Sequence, residues 1–192
     1  MIIYFYGNRG SGKTLSSVIL TDLFKKIYEK NKQKPLVFTN IDMKLKNFDM
    51  LDYFEEQYQN NKIPKIFLFD EIDKYSDSRR SMSLVNLFIS YSMSLSRKTN
   101  TDFIMTSQIE GALDIRIRKF CDLIINPSYN KKTYQLKWDI FNQNNSNLSK
   151  VYVKNPKKYY TEYDTNYLTI NMIKNDLRKF KILTKDFKSN AN

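Results

Sequence analysis

Histidine is absent from the 192 residues, and cysteine occurs once, at Cys121. The first absence excludes zinc sites of the usual kind and acid–base chemistry run by imidazole. The second excludes an internal disulfide, and the place of Cys121 beside an apolar strand points to a buried thiol in an intracellular protein. No apolar run reaches membrane-spanning length, and the N-terminus leads at once into a strand pattern with no signal peptide ahead of it. A cytoplasmic protein without a membrane span is expected. Glycine is scarce too: there are four, and three of them fall within eight consecutive positions.

Those positions are Gly7-Asn8-Arg9-Gly10-Ser11-Gly12-Lys13-Thr14, which fit G-x-x-x-x-G-K-[ST]. Ile2 to Tyr6 read as a buried strand before the motif, and Leu15 to Lys30 read as a helix after it, the context a phosphate-binding loop requires. Glycines let the backbone bring its N–H groups up to a phosphate, and the helix directs its positive end to the same place. The expected nucleotide-binding residues run from Gly7 through Leu15. Lys13 reaches the β- and γ-phosphates of ATP, and the Thr14 hydroxyl sits on Mg²⁺. The plain alternative is a glycine-rich turn that binds nothing.

Lys65-Ile66-Phe67-Leu68-Phe69-Asp70-Glu71 is the second informative stretch. Four apolar residues in a row suit a central parallel strand covered on both faces. The acids at its end match a Walker B pattern, in which Asp70 holds Mg²⁺ and Glu71 polarises the attacking water. An acidic turn closing an ordinary strand is the alternative.

The length predicts one domain with a sizeable core, and 41% hydrophobic with 27% charged residues is ordinary for a globular chain. Net charge is +12, which reads either as a lysine-rich soluble surface or as attraction to a polyanion, nucleic acid above all. Leu36 to Asn40 read as a short strand, and Phe48 to Asn61 as a helix with Phe48, Leu51, Phe54 and Tyr58 on its apolar side. Leu84, Leu87, Phe88, Tyr91 and Leu95 recur at helical spacing and read as a core-facing stripe. Thr101 to Ser107 read as a strand with Gln108 just beyond it. Ala112 to Phe120 read as a short helix carrying Arg116 and Arg118, and Asp122 to Asn126 as a fifth strand closed by Pro127. Beyond it, Lys132 to Phe141 alternate with a two-residue period, and Val151 to Val153 can pair with them as a hairpin. Met172 to Phe187 read as a basic helix.

An acidic residue beside the metal-binding Asp70, and a polar residue ending the next strand, resemble the additional-strand, catalytic-glutamate branch of P-loop NTPases. That resemblance implies an α/β fold with a parallel sheet of order 5-1-4-3-2, helices on both faces and a C-terminal hairpin and helix. Gln108's strand would lie between the P-loop strand and the Asp70 strand, so that Gln108 senses γ-phosphate or orients water. Within the branch, Gly7 to Thr14, Phe69-Asp70-Glu71, Ser78-Arg79-Arg80-Ser81, Ser96-Arg97-Lys98, Thr106-Ser107-Gln108 and Asp114-Ile115-Arg116-Ile117-Arg118 resemble the FtsK–HerA superfamily. The likeness is to the small viral genome-packaging ATPases and their Zot-like relatives. It covers residues 1–127, expected as the ATPase core, with 128–192 an extension packed on the same domain.

The resemblance implies hydrolysis of ATP coupled to translocation of double-stranded DNA by a ring of identical subunits, usually a hexamer. Viral capsid proteins are further expected partners, and the host cytoplasm the setting. An arginine from one subunit would act at its neighbour's γ-phosphate, with Arg79 and Arg80 the first candidates, Arg97 the second, and Arg116 and Arg118 the third. Lys44 and Lys46, Arg97-Lys98 and Lys131-Lys132 are possible DNA grips. Alternative readings are a Zot-like filamentous virus assembly ATPase, an ATP-gated DNA-binding scaffold without turnover, and a small-molecule kinase or GTPase. The last lacks an N-K-x-D motif and an arginine-rich lid.

Overall fold

The computed structural model describes residues 1–44, 48–49, 52–53, 61–74, 84–109, 111, 113–144 and 146–163. Its frame is one eight-stranded sheet. The strands are β1 (Ile2–Tyr6), β2 (Leu36–Thr39), β3 (Phe48–Asp49), β4 (Lys65–Phe69), β5 (Thr101–Ser107), β6 (Leu123–Asn130), β7 (Gln135–Phe141) and β8 (Asn147–Val153). They lie in the order β3-β2-β4-β5-β1-β6-β7-β8. The five strands expected from sequence stand as β6-β1-β5-β4-β2, all parallel, which is the 5-1-4-3-2 order.

The sheet differs in detail from that expectation, because it is longer and mixed. β3 adds a short parallel strand at one margin, and β7 and β8 add an antiparallel pair at the other. Two boundaries also differ. Phe48–Asp49 belong to a strand rather than to the start of a helix, while 50–51 and 54–60, including Leu51, Phe54 and Tyr58, lie outside the described residues. Pro127 does not close β6, which runs on to Asn130 paired with β7. Pairing with β1 ends at Ile125, and past that point no strand among the described residues pairs with that side of β6, the setting in which a residue without an N–H is tolerated.

The strict alternation of the central strands sorts their side chains between two faces. Ile3, Phe5, Ile66, Leu68 and Ile104 pack with Leu15, Val18 and Ile19 of α1 (Lys13–Lys30). Tyr4, Phe67, Phe69, Phe103 and Met105 pack on the opposite face with Ile89 and Met93 of α2 (Leu84–Ser94) and Ile117 of α3 (Ile115–Phe120). Burial on both faces explains why these strands read as unbroken apolar runs. Tyr53 seals this face, its ring 4.5 Å from Phe67 and 5.7 Å from Phe103.

The expected core stripe of α2 is corrected by the structure. Leu87 and Tyr91 are 41% and 49% exposed, whereas Asn86, Ile89, Ser92 and Met93 are buried. Two members of the expected stripe therefore face outward, Leu95 is half-buried, and the side chains of Leu84 and Phe88 lie outside the described residues. Asn86 is buried, and its amide donates to the buried Asp114 carboxylate at 3.5 Å. The hairpin is tied to α1 by the Trp138 indole, which donates to Ser16 Oγ at 2.8 Å, and the turn after β8 by Tyr159, which donates to Asp22 at 2.9 Å. The residues expected as a basic helix, 172–187, lie outside the described residues.

Candidate functional site

The loop from Gly7 to Gly12 leaves β1 at the carboxyl end of the sheet and enters α1. Gly12 has φ +92°, and a Cβ there would stand 3.0 Å from Tyr129 and 3.1 Å from Leu136 of the hairpin. Both the backbone and the close approach therefore require glycine. Lys13 is buried, and its ammonium donates to the carbonyls of Gly7 (2.9 Å) and Asn8 (3.1 Å), folding it back over the loop. Burial holds that ammonium below its ordinary value, against the pull of the Asp70 and Glu71 charges.

Asp70 and Glu71 face this loop from the end of β4. The Thr14 hydroxyl donates to both Asp70 oxygens, at 3.2 and 3.1 Å. Thr106 donates to Asp70 Oδ1 at 2.6 Å, and its oxygen accepts the Glu71 N–H at 2.9 Å. Asn40, just past β2, brackets the Asp70 peptide: its amide donates to the Asp70 carbonyl (2.9 Å) and its oxygen accepts the Asp70 N–H (2.8 Å). Burial pushes the Asp70 carboxyl up, while Thr106 and Thr14 pull it back.

Glu71 is differently held. Its backbone has φ +51°, a left-handed conformation costing a side-chain-bearing residue about 1–2 kcal/mol. Gln108 donates from Nε2 to Glu71 Oε1 at 2.9 Å, and Lys74 forms an ion pair with Oε2. Burial works to raise the Glu71 carboxyl, but the bonds from Lys74 and Gln108 outweigh it, and the group stays below the ordinary glutamate value. Glu71 is thus an ionised carboxylate aimed by two contacts, one on each oxygen. β5 lies between β4 and β1, so Gln108 stands between the acid pair and the loop.

The structure therefore brings Gly7, Lys13, Thr14, Asp70, Glu71 and Gln108 into one region. Asn40 and Lys74 escape a sequence reading, and Thr106, quoted there beside Gln108, was given no partner; strand register or a turn sets the partner of each. Of the arginines, Arg79 and Arg80 lie outside the described residues. Arg116 is engaged close by, donating to Asp114 from Nε (3.1 Å) and Nη2 (2.9 Å). Arg97 is exposed. Cys121 is fully buried, and burial pushes its thiol up to about 12.

Comparison with solved structures finds the N-terminal domain of zonular occludens toxin from Neisseria meningitidis, with a TM-score of 0.63 and 19% identity over 85% of this chain and 98% of that one. It also finds the genome packaging NTPase B204 from Sulfolobus turreted icosahedral virus 2, solved with ATP-gammaS, with a TM-score of 0.52 and 15% identity over 80% of this chain and 96% of that one. At such identities the likeness concerns the fold. No curated protein matches the chain. Residues 3–129 match the family described as "ATPase family associated with various cellular activities (AAA)". That match takes in the loop, the acid pair and Gln108, and the chain belongs to the AAA ATPase family.

Proposed function

We propose that the protein is an ATP-hydrolysing DNA translocase of the FtsK–HerA type, working as one subunit of a viral genome-packaging motor. The observation that carries the hydrolytic part is the ionised Glu71, aimed by Gln108 and Lys74 beside the loop that holds Lys13. In this reading Glu71 takes the proton from the water that attacks the γ-phosphorus, Gln108 orients that water, and Lys13 neutralises phosphate charge. Thr14 and Asp70 offer a hydroxyl and a carboxylate 3.1–3.2 Å apart, hard oxygen donors of the kind Mg²⁺ prefers, and these two residues would hold it. The metal supplies charge stabilisation on the phosphate oxygens when bound.

The DNA part rests on three supports: the fold shared with a genome packaging NTPase, the net charge of +12, and exposed Lys44, Arg97, Lys98, Lys131 and Lys132. A head-to-tail ring would bring an arginine to the neighbouring subunit's nucleotide, with Arg79, Arg80, Arg97 and Arg118 the candidates. A second reading, a Zot-like virus assembly ATPase, is favoured by the higher TM-score of 0.63.

Glu71→Gln is the direct test of the hydrolytic reading. The variant should bind ATP as the parent does and lose turnover by about 10²-fold or more. Hydrolysis at the parent rate would remove Glu71 from the role. Weak binding together with lost turnover would point to a structural part for Glu71 instead.

A further inference from the structure

Gln108 is exposed just past the end of β5, and its amide reaches Glu71 Oε1 at 2.9 Å. A long side chain held by its tip gives up rotamer freedom, so it keeps its aim only if the backbone beneath it is fixed. Packing does not fix that backbone, because the next residue, Ile109, is 66% exposed. Polar bonds from below do so instead. The buried Ser107 hydroxyl donates to the Ile109 carbonyl at 3.0 Å and accepts the Ile109 N–H at 3.3 Å, which closes the 107–109 turn on itself. The Tyr4 hydroxyl donates to the same carbonyl at 3.2 Å.

Tyr4 makes this bond because of where β1 puts it. Its register partner is Met105, two residues short of Ser107, and its side chain is fully buried on the α2 face beside the Tyr6 ring, 6.2 Å away. The length of the phenol carries the hydroxyl past the end of β5. Burial raises the Tyr4 phenol, and the Ser107 hydroxyl offsets this only in part, so the group remains a donor at any working pH. A second element abuts the same turn. Asp73 belongs to the short helical turn Ile72–Lys74 that follows Glu71. Burial raises the Asp73 carboxyl, and the Gln108 N–H and the Ser107 hydroxyl are among the groups that pull it back. The turn bearing Gln108 and the turn bearing Lys74, the two partners of Glu71, therefore meet.

We propose that Ser107 and Tyr4 are positioning residues for hydrolysis, a pair of hydroxyls that clip the 107–109 turn so that the Gln108 amide meets Glu71. The inference rests on the roles proposed above for Glu71 and Gln108 and goes past them. It gives β1, the strand that leads into the phosphate loop, a direct hold on the residue that orients water. A buried tyrosine hydroxyl needs a partner wherever it lies. Here the partner adjoins Gln108, which ties the bond to the chemistry.

The test measures kcat for ATP and the affinity for a non-hydrolysable ATP analogue, on the intact protein. The variants are Ser107→Ala and Tyr4→Phe, each alone and combined with Gln108→Ala. Neither hydroxyl touches the phosphate loop, so analogue affinity should stay within about twofold of the parent in both. Turnover should fall by about tenfold in Ser107→Ala, which loses two bonds, and by about threefold in Tyr4→Phe, which loses one. In the Gln108→Ala background neither change should lower turnover further by more than about twofold, because the group they aim is already gone. Tyr4→Phe keeps the ring and its packing, so it carries the test if Ser107→Ala does not fold. Three results would overturn the proposal: parent-like turnover in the variants that fold, losses as large without the Gln108 amide as with it, or a loss of analogue affinity that matches the loss of turnover. Parent-like turnover in Gln108→Ala itself would remove the role of Gln108 and the clip with it, while leaving the Glu71 reading to its own test.

Discussion

Glu71, the base of the proposed hydrolysis, is held at both its backbone and its carboxylate. Its left-handed backbone is maintained by the Thr106 oxygen on its N–H, and its carboxylate is held by Gln108 and Lys74. A general base is useful only while ionised. Because the Glu71 carboxyl lies below its ordinary value, activity should persist until the pH falls past that lowered value. Lys74→Met removes the ion pair that contributes most to the lowering, so the acid limb of the kcat profile should move to higher pH. An unmoved limb would show that Lys74 does not tune the base. Thr106→Val tests the support beneath both acids. It strips a donor from Asp70 Oδ1 and an acceptor from the Glu71 N–H, and should cost about 1–3 kcal/mol in thermal or denaturant unfolding. Gly7, Lys13, Thr14, Asp70 and Glu71 were legible in the sequence because contiguous motifs carry them. Asn40 was not, and Thr106 was quoted only as part of a motif without its bonds, because the partners of both are brought to them only by strand register.

Among the elements, α3 begins at Asp114, whose carboxylate accepts the Arg116 N–H at 2.8 Å and pairs with its guanidinium. Burial raises the Asp114 carboxyl, but the Arg116 bonds prevail and hold it below the usual aspartate value. The stability it confers is therefore fully present above the unfolded value near ~3.9 and is lost as pH falls through the lower folded value. Asp114→Ala should destabilise the fold at neutral pH by about 1–2 kcal/mol, and the deficit should shrink in acid. A constant deficit across that range would contradict the capping account. The α2 stripe carries the opposite lesson. Leu87 and Tyr91 gave a helical period, yet both are exposed, while Ile89 and Met93 pack in the core and Asn86 is buried beside Asp114. Periodicity announces a helix; its orientation depends on a partner that no local pattern contains. The β7–β8 pair was legible from its alternation, whereas its union with the main sheet through β6 was not.

At the scale of the whole molecule, the central strand order followed from the family resemblance that two motifs and a polar strand end carry. The margins were not, because β3 is only two residues long and Pro127 looked like a strand end. The excess of twelve positive charges is a global property that no one lysine explains. It predicts that duplex DNA binds through its phosphates and that the binding weakens steeply with salt. Coupling of that binding to the nucleotide site separates a motor from a basic ATPase. ATP turnover measured against added duplex DNA, at low and at physiological salt, is the most direct test. The account predicts a rate that climbs several-fold to saturation with DNA, at a midpoint that shifts to higher DNA concentration as salt is raised. A rate indifferent to DNA at both salt concentrations would contradict it.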